Sequence, residues 1–219
     1  MTEALVTNKE NILCFKNHQL LNTDAIKFVN TADILSQCTF VIHKRSSCET
    51  DDSVLQLIPY VVISNPITGK IFSYRRGKAS GEARLTSKCS IGLGGHLEES
   101  PLNNDYSTIT ATIAMGVLRE LNEEVGLELT WKNFNIIHSD IFISNFELFY
   151  LTRDNVDKYH LCMLLRFNAS ELDLPKLEDG IIQDQQWSSL HDLEENHKNG
   201  TRILEGWSEI ALNILKNEL

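Results

Sequence analysis

The chain has 219 residues, 42% hydrophobic and 23% charged, the balance of a globular protein with enough apolar material for a sizeable core. Lys and Arg number 20 against 30 Asp and Glu, and the formal charge of -10 excludes general nucleic-acid binding or attachment to an anionic membrane. Eleven glycines and 4 prolines exclude a collagen or linker composition, and no apolar stretch approaches the length of a bilayer span.

The amino terminus has no basic start followed by an apolar run, so it does not read as a secretory signal and a cytoplasmic location is the default expectation. Five cysteines, Cys14, Cys38, Cys48, Cys89 and Cys162, are odd in number and carry no paired spacing, which predicts reduced, mostly buried thiols rather than a disulfide framework or zinc ribbon. Residues 1–55 alternate short apolar stretches with polar turns and are expected to form an amino-terminal extension packed on a main domain of residues 56–219. From Leu57 to Ile63 a β-branched run predicts a strand; Asn65-Pro66 and Thr68-Gly69 end it, and Ile71–Tyr74 starts a second strand to make a hairpin.

A loop rich in Gly, Lys and Arg follows, and then Gly92-Leu93-Gly94-Gly95, where the glycines imply tight backbone geometry or close approach to another group. Between Ser107 and Val125 the residues Ile113, Ala114, Val117, Leu118, Leu121 and Val125 keep helical spacing, with Gly126 as the stop signal. Strands are expected at 134–143, 147–151 and 159–167, then a polar connection through Glu178 and Asp179 to Trp187. A last helix carries Trp207, Ile210, Ala211, Ile214 and Leu215 on one face. Together these predict an α/β/α sandwich with a mixed β-sheet covered by helices.

The chemistry-bearing segment runs from Arg119 to Leu127. At about 100° per residue, Glu120, Glu123 and Glu124 fall on one edge of the helix beside its apolar face. Like charges that close raise one another's pKa unless cations neutralise them, and hard oxygen donors suit Mg²⁺ or Mn²⁺. An acidic helix edge alone is more often a solvated face with Arg119 as an ion-pair partner, so the upstream context decides.

That context, Gly94-Gly95-His96-Leu97-Glu98 followed by the RELNEEVGL stretch, resembles the signature of the Nudix hydrolases, G-x5-E-x7-R-E-U-x-E-E-x-G-U with U apolar. Gly95 matches the opening glycine, Arg119 and Glu120 the RE pair, Leu121 the apolar position, Glu123 and Glu124 the EE pair, and Gly126 and Leu127 the end. The interval between Gly95 and Arg119 is about ten residues longer than in the signature, placed around residues 101–106, and the upstream glutamate is missing from its usual position, where Glu98 or Glu99 can substitute. A Nudix subgroup described as predicted phosphoesterases has a similar glycine stretch, a lengthened box and a strand led by a residue like His160.

The resemblance, which covers residues 57–217, implies a metal-dependent hydrolase that cleaves a phosphoanhydride bond in a small diphosphate-containing, nucleoside-diphosphate-like substrate. It implies Mg²⁺ or Mn²⁺ held by Glu120, Glu124 and Glu123, with the Gly95 carbonyl as a further ligand. Glu123 accepts the water proton in that reading, and Arg119 pairs with a helix carboxylate to orient it. Bound metal would neutralise phosphate oxygens and lower the pKa of a water. One more carboxylate from a later loop, Glu178, Asp179 or Asp184, is expected to join. The basic window holding Arg75, Arg76, Lys78 and Arg84 is the candidate substrate-binding region, with solvated loop charge the alternative. Family habit also implies a homodimer.

Competing readings are a Nudix-fold sensing or interaction module without turnover, and an isomerase of prenyl diphosphates, which would need a catalytic cysteine and glutamate beside the metal. No dinucleotide fingerprint, P-loop, G-x-S-x-G or H-E-x-x-H is present. His96, His160 and the Trp207 face read as structural.

Overall fold

The computed structural model describes residues 8–16, 39–78, 83–99, 106–127, 130–138, 146–150, 157–169, 180 and 182–218. In chain order these form β1 (Asn8–Phe15), β2 (Phe40–Lys44), the single-turn α1 (Arg45–Cys48), β3 (Leu55–Ser64), β4 (Ile71–Arg76), β5 (Cys89–Ser90), β6 (Gly92–Gly94), β7 (Glu98–Glu99), α2 (Tyr106–Val125), α3 (Trp131–Ile137), β8 (Glu147–Tyr150), β9 (His160–Asn168), β10 (Ile182–Ser188), α4 (Leu190–Lys198) and α5 (Gly206–Asn217). No helix among the described residues is long and apolar enough to cross a membrane.

The chain divides into two compact units: Met1–Tyr60, Gly94–Arg119 and Leu129–Leu165 in the first, and Val61–Leu93, Glu120–Glu128 and Arg166–Leu219 in the second. The boundary passes through β3, β6, α2 and β9, so each of these elements contributes residues to both.

In the first unit β1 pairs antiparallel with β2, from Asn11 opposite Lys44 to Phe15 opposite Phe40, and joins β3 through Cys14 opposite Gln56. Two strands of this unit's sheet thus come from the segment expected as an extension. β1 also pairs with β7, with Ile12 opposite Glu98, while Leu13 N–H donates to the Leu97 carbonyl at 2.7 Å. β8 pairs antiparallel with β9, from Glu147 opposite Leu164 to Tyr150 opposite Leu161. The β3 run is buried from Leu55 to Ile63 because both faces are covered, which is why it reads as continuous rather than alternating hydrophobicity.

Residues 134–137, expected as the start of a strand, are helical in α3, and residues 139–143 of that expectation lie outside the described residues. The cause is local: Thr130 caps the helix by accepting from Asn133 N–H at 3.2 Å. The helix then buries Ile137 completely and stacks the Phe134 ring on His138 with centroids 5.1 Å apart, a contact one helical turn makes and a strand, which would separate these residues by roughly 13 Å, does not.

In the second unit β4 lies between β3 and β10 and also pairs with β5. The expected polar connection to Trp187 is in fact β10, paired with β4 from Ile182 opposite Arg76 to Ser188 opposite Ile71. Its register shifts between Gln183 and Gln186, and Asp184 within that bulge has a φ of 47°. Polar residues on the outward face and one residue in a left-handed conformation hide the strand from a hydrophobicity pattern. Ser189 caps α4, accepting from Asp192 N–H at 3.0 Å, and α5 buries Ile210, Ala211 and Leu215 as its spacing predicts.

Candidate functional site

Helix α2 presents its apolar residues on one side: Ile113, Ala114, Val117, Leu118, Leu121 and Val125 are completely buried. The helix ends where Gly126 adopts a φ of 69°, open to glycine at no steric cost. Gly126 N–H donates to Asn122 O at 3.1 Å, Leu127 N–H to Leu121 O at 3.1 Å, and Asn122 Nδ2 to Leu127 O at 2.9 Å. These bonds fix the last turn, which bears the carboxylates.

Glu120 is 8% exposed, Glu124 is half-buried with its Oε2 shielded from solvent, and Glu123 is exposed. A carboxylate as buried as Glu120 is retained only with hydrogen-bonding or cationic company. The three side chains offer oxygen donors alone, the hard donor set preferred by Mg²⁺ and Mn²⁺. Among the described residues no three His, Cys, Asp or Glu side chains form a preassembled cage for an ion. Mg²⁺ uses one or two carboxylates together with water and substrate phosphates, and Glu120 and Glu124, one turn apart, match that demand.

Arg119 belongs to the first unit, as does the turn after β6. Its Nη2 donates to the His96 carbonyl at 2.8 Å, and Nη1 lies 3.6 Å from Glu98 Oε1. Glu98 belongs to β7, close in sequence to the glycine turn, and its neighbour Glu99 accepts from Asn11 Nδ2 at 2.8 Å. Gly94, at the end of β6, is required by close approach: a Cβ there would stand 2.2 Å from the Pro59 carbonyl oxygen. Gly95 follows it, half-buried.

His96 Nε2 lies 2.8 Å from Oε1 of the fully buried Gln56, and its ring meets that of His160 edge-on with centroids 5.9 Å apart. Burial first, and then the charges of Arg45, His160 and Arg119, hold the His96 pKa down to about 3, so the imidazole is neutral and donates from Nε2 to the Gln56 oxygen. Gln56 carried no signal in the sequence, sitting inside an otherwise apolar strand.

Other expected site residues have defined partners elsewhere in the second unit. Arg76 Nε donates to Glu205 Oε2 at 2.8 Å, and Ser90 Oγ donates to Glu205 Oε1 at 2.7 Å. Arg75 donates from Nη1 to Ser87 O at 2.9 Å and its Nε lies 3.5 Å from Asp184 Oδ2. Asp184 also accepts from the buried Arg202 at 2.6 Å, so two guanidinium groups occupy the carboxylate expected as an additional metal ligand. Lys78 and Arg84 are exposed. Glu178 and Asp179 lie outside the described residues.

The fold matches that of Tm1382, a candidate Nudix hydrolase, with a TM-score of 0.67, 24% identity, and coverage of 96% of this chain and 100% of that one. The chain has the Nudix fold. A Nudix hydrolase from Alicyclobacillus acidocaldarius aligns with a TM-score of 0.50 and 12% identity over 73% of this chain and 90% of its own. Protein YmaB of Bacillus subtilis (strain 168) is 28% identical over 177 residues, covering 79% of this chain and 77% of YmaB. No family model matches the chain. A mixed α/β architecture of Nudix type is the expected fold class, and it is the one observed.

Proposed function

We propose that this Nudix-fold chain is a metal-dependent hydrolase of a phosphoanhydride bond in a small nucleoside-diphosphate-like substrate. The observation that carries the reading is the set of three glutamates on the last turns of α2, Glu120, Glu123 and Glu124, with Glu120 buried and the turn locked behind them by Gly126. Glu120 and Glu124 would hold Mg²⁺ or Mn²⁺, which supplies charge neutralisation at the phosphates and a more acidic water. Glu123, at the solvent-facing edge, accepts the proton of the attacking water. Arg119, between the His96 carbonyl and Glu98, positions the start of this helical turn rather than touching substrate.

The test is Mg²⁺-dependent release of phosphate or monophosphate from a panel of nucleoside diphosphate sugars, dinucleoside polyphosphates, nucleoside triphosphates and nucleotide cofactors. Glu120→Gln and Glu124→Gln should each lower turnover at least about 100-fold, with circular dichroism unchanged. Undiminished turnover in both variants defeats the assignment. Saturable ligand binding by the wild-type chain with no product from any compound would place it instead among non-catalytic ligand-sensing modules.

A further inference from the structure

In the first unit Cys14 on β1 and Cys48 on α1 stand with their sulfurs 3.5 Å apart, although 34 positions separate them in the chain. Both are completely buried, in a cluster with Ile12 and Val54 against which Val41 packs. We infer that Cys14 and Cys48 are a covalent modification site, a dithiol that closes to an intramolecular disulfide by exchange with a small-molecule disulfide. A disulfide bond is about 2.05 Å long, so the sulfurs need to approach by about 1.5 Å. Side-chain rotation and a small shift of a one-turn helix suffice for that.

Cys48 Sγ–H is directed at the Lys44 carbonyl, 3.3 Å away, which leaves Cys14 Sγ–H as the donor between the two sulfurs. That donor stabilises a thiolate on Cys48, and Cys48 precedes the exposed residues Glu49 and Thr50, so it is the thiol that local opening of α1 presents to solvent. In the exchange, the Cys48 thiolate attacks one sulfur of RSSR, expels RS⁻ and forms a mixed disulfide. Cys14 then loses its proton and attacks Cys48 Sγ, expelling the second RS⁻. The two protons released by the cysteines end on two RSH; two protein thiols are oxidised and one RSSR is reduced. Burial raises the pKa of both thiols, Cys14 most of all, so in the closed pair both stay protonated and unreactive, and exchange waits on opening. Cys89 and Cys162 are buried and outside any disulfide, and Cys38 lies outside the described residues.

The full chain is incubated with oxidised glutathione, denatured and alkylated. Alkylatable thiols should fall from five to three, the unalkylated mass by two hydrogens, and proteolysis should yield a dithiothreitol-sensitive link between the Cys14 and Cys48 peptides. Cys14→Ser should stop at a glutathione adduct on Cys48. Five alkylatable thiols after prolonged exposure, or a link through any other cysteine, overturns the inference. Mapping on the wild-type chain decides this even if a variant fails to fold.

Discussion

Replacing Glu205 by Gln tests whether Arg76 is a strut or a substrate ligand. The Arg76–Glu205 bond is 2.8 Å long, with the arginine side chain 16% and the glutamate side chain 4% exposed, and Ser90 bonds the second carboxylate oxygen. At that separation the bare attraction is about 6 kcal/mol for an effective dielectric of 20. Desolvation cancels much of it in the intact pair, but an isosteric amide leaves the guanidinium buried opposite no charge, which costs about 3–5 kcal/mol in fully buried pairs. Because Arg76 keeps some contact with water, we expect about 3 kcal/mol from urea unfolding for Glu205→Gln, and a similar loss for Arg76→Met. The double variant removes both charges and should be more stable than the sum of the two losses by about 2 kcal/mol. Losses below about 1 kcal/mol for each single variant, the range of exposed pairs, or strict additivity would refute the buried strut and return Arg76 to the candidate substrate ligands.

Gly94→Ala should cost about 1–3 kcal/mol in the same assay, since the new methyl meets the Pro59 carbonyl oxygen of β3 and backbone cannot rotate aside; an unchanged midpoint would show that the glycine is not sterically required. Asp184→Asn should keep full divalent-metal dependence of turnover, because Arg202 and Arg75 already engage the carboxylate; abolished metal dependence would make Asp184 a ligand. Glu194 bonds Lys216 of α5 and Lys198, which hold its pKa down to about 2. A depressed carboxylate stabilises the fold above the ordinary value near 4.5 and loses that contribution as pH falls toward 2, so the stability difference between wild type and Glu194→Gln should shrink on acidification and stay constant above pH 6; a difference independent of pH throughout would refute the tether.

The elements with strong periodicity were legible in the sequence. β3 and α2 bury continuous or turn-spaced apolar residues, and Gly126 marks the helix end at the residue where the left-handed conformation occurs. What escaped was set by partners distant in sequence at β10 and by a local cap at α3. β10 is polar on its outward face and bulged at Asp184, so only its pairing with β4 defines it, and α3 depends on the Thr130 cap more than on composition. The glutamate trio could be read because its spacing is local. Gln56 beside His96, and Glu205 beside Arg76, could not, since 40 and 129 positions separate those partners and neither acceptor sits in a recognisable motif.

The fate of the basic window follows from the same distinction. A count of charges between Lys70 and Lys88 treats each cation as a source of field for an anionic substrate, yet a guanidinium held against a buried carboxylate contributes little beyond its partner because the pair is a dipole. Arg76 is in that condition through Glu205, whereas Arg75 is paired at 3.5 Å with Asp184, an exposed carboxylate. Lys70, Lys78 and Arg84 are exposed and Lys88 is half-buried, all in the second unit, which also carries Glu120, Glu123 and Glu124. Under the proposed function, electrostatic capture of a diphosphate in an otherwise acidic chain would fall to these exposed residues and to the metal, whereas Arg75 ties β4 to β10 and Arg76 ties it to the start of α5.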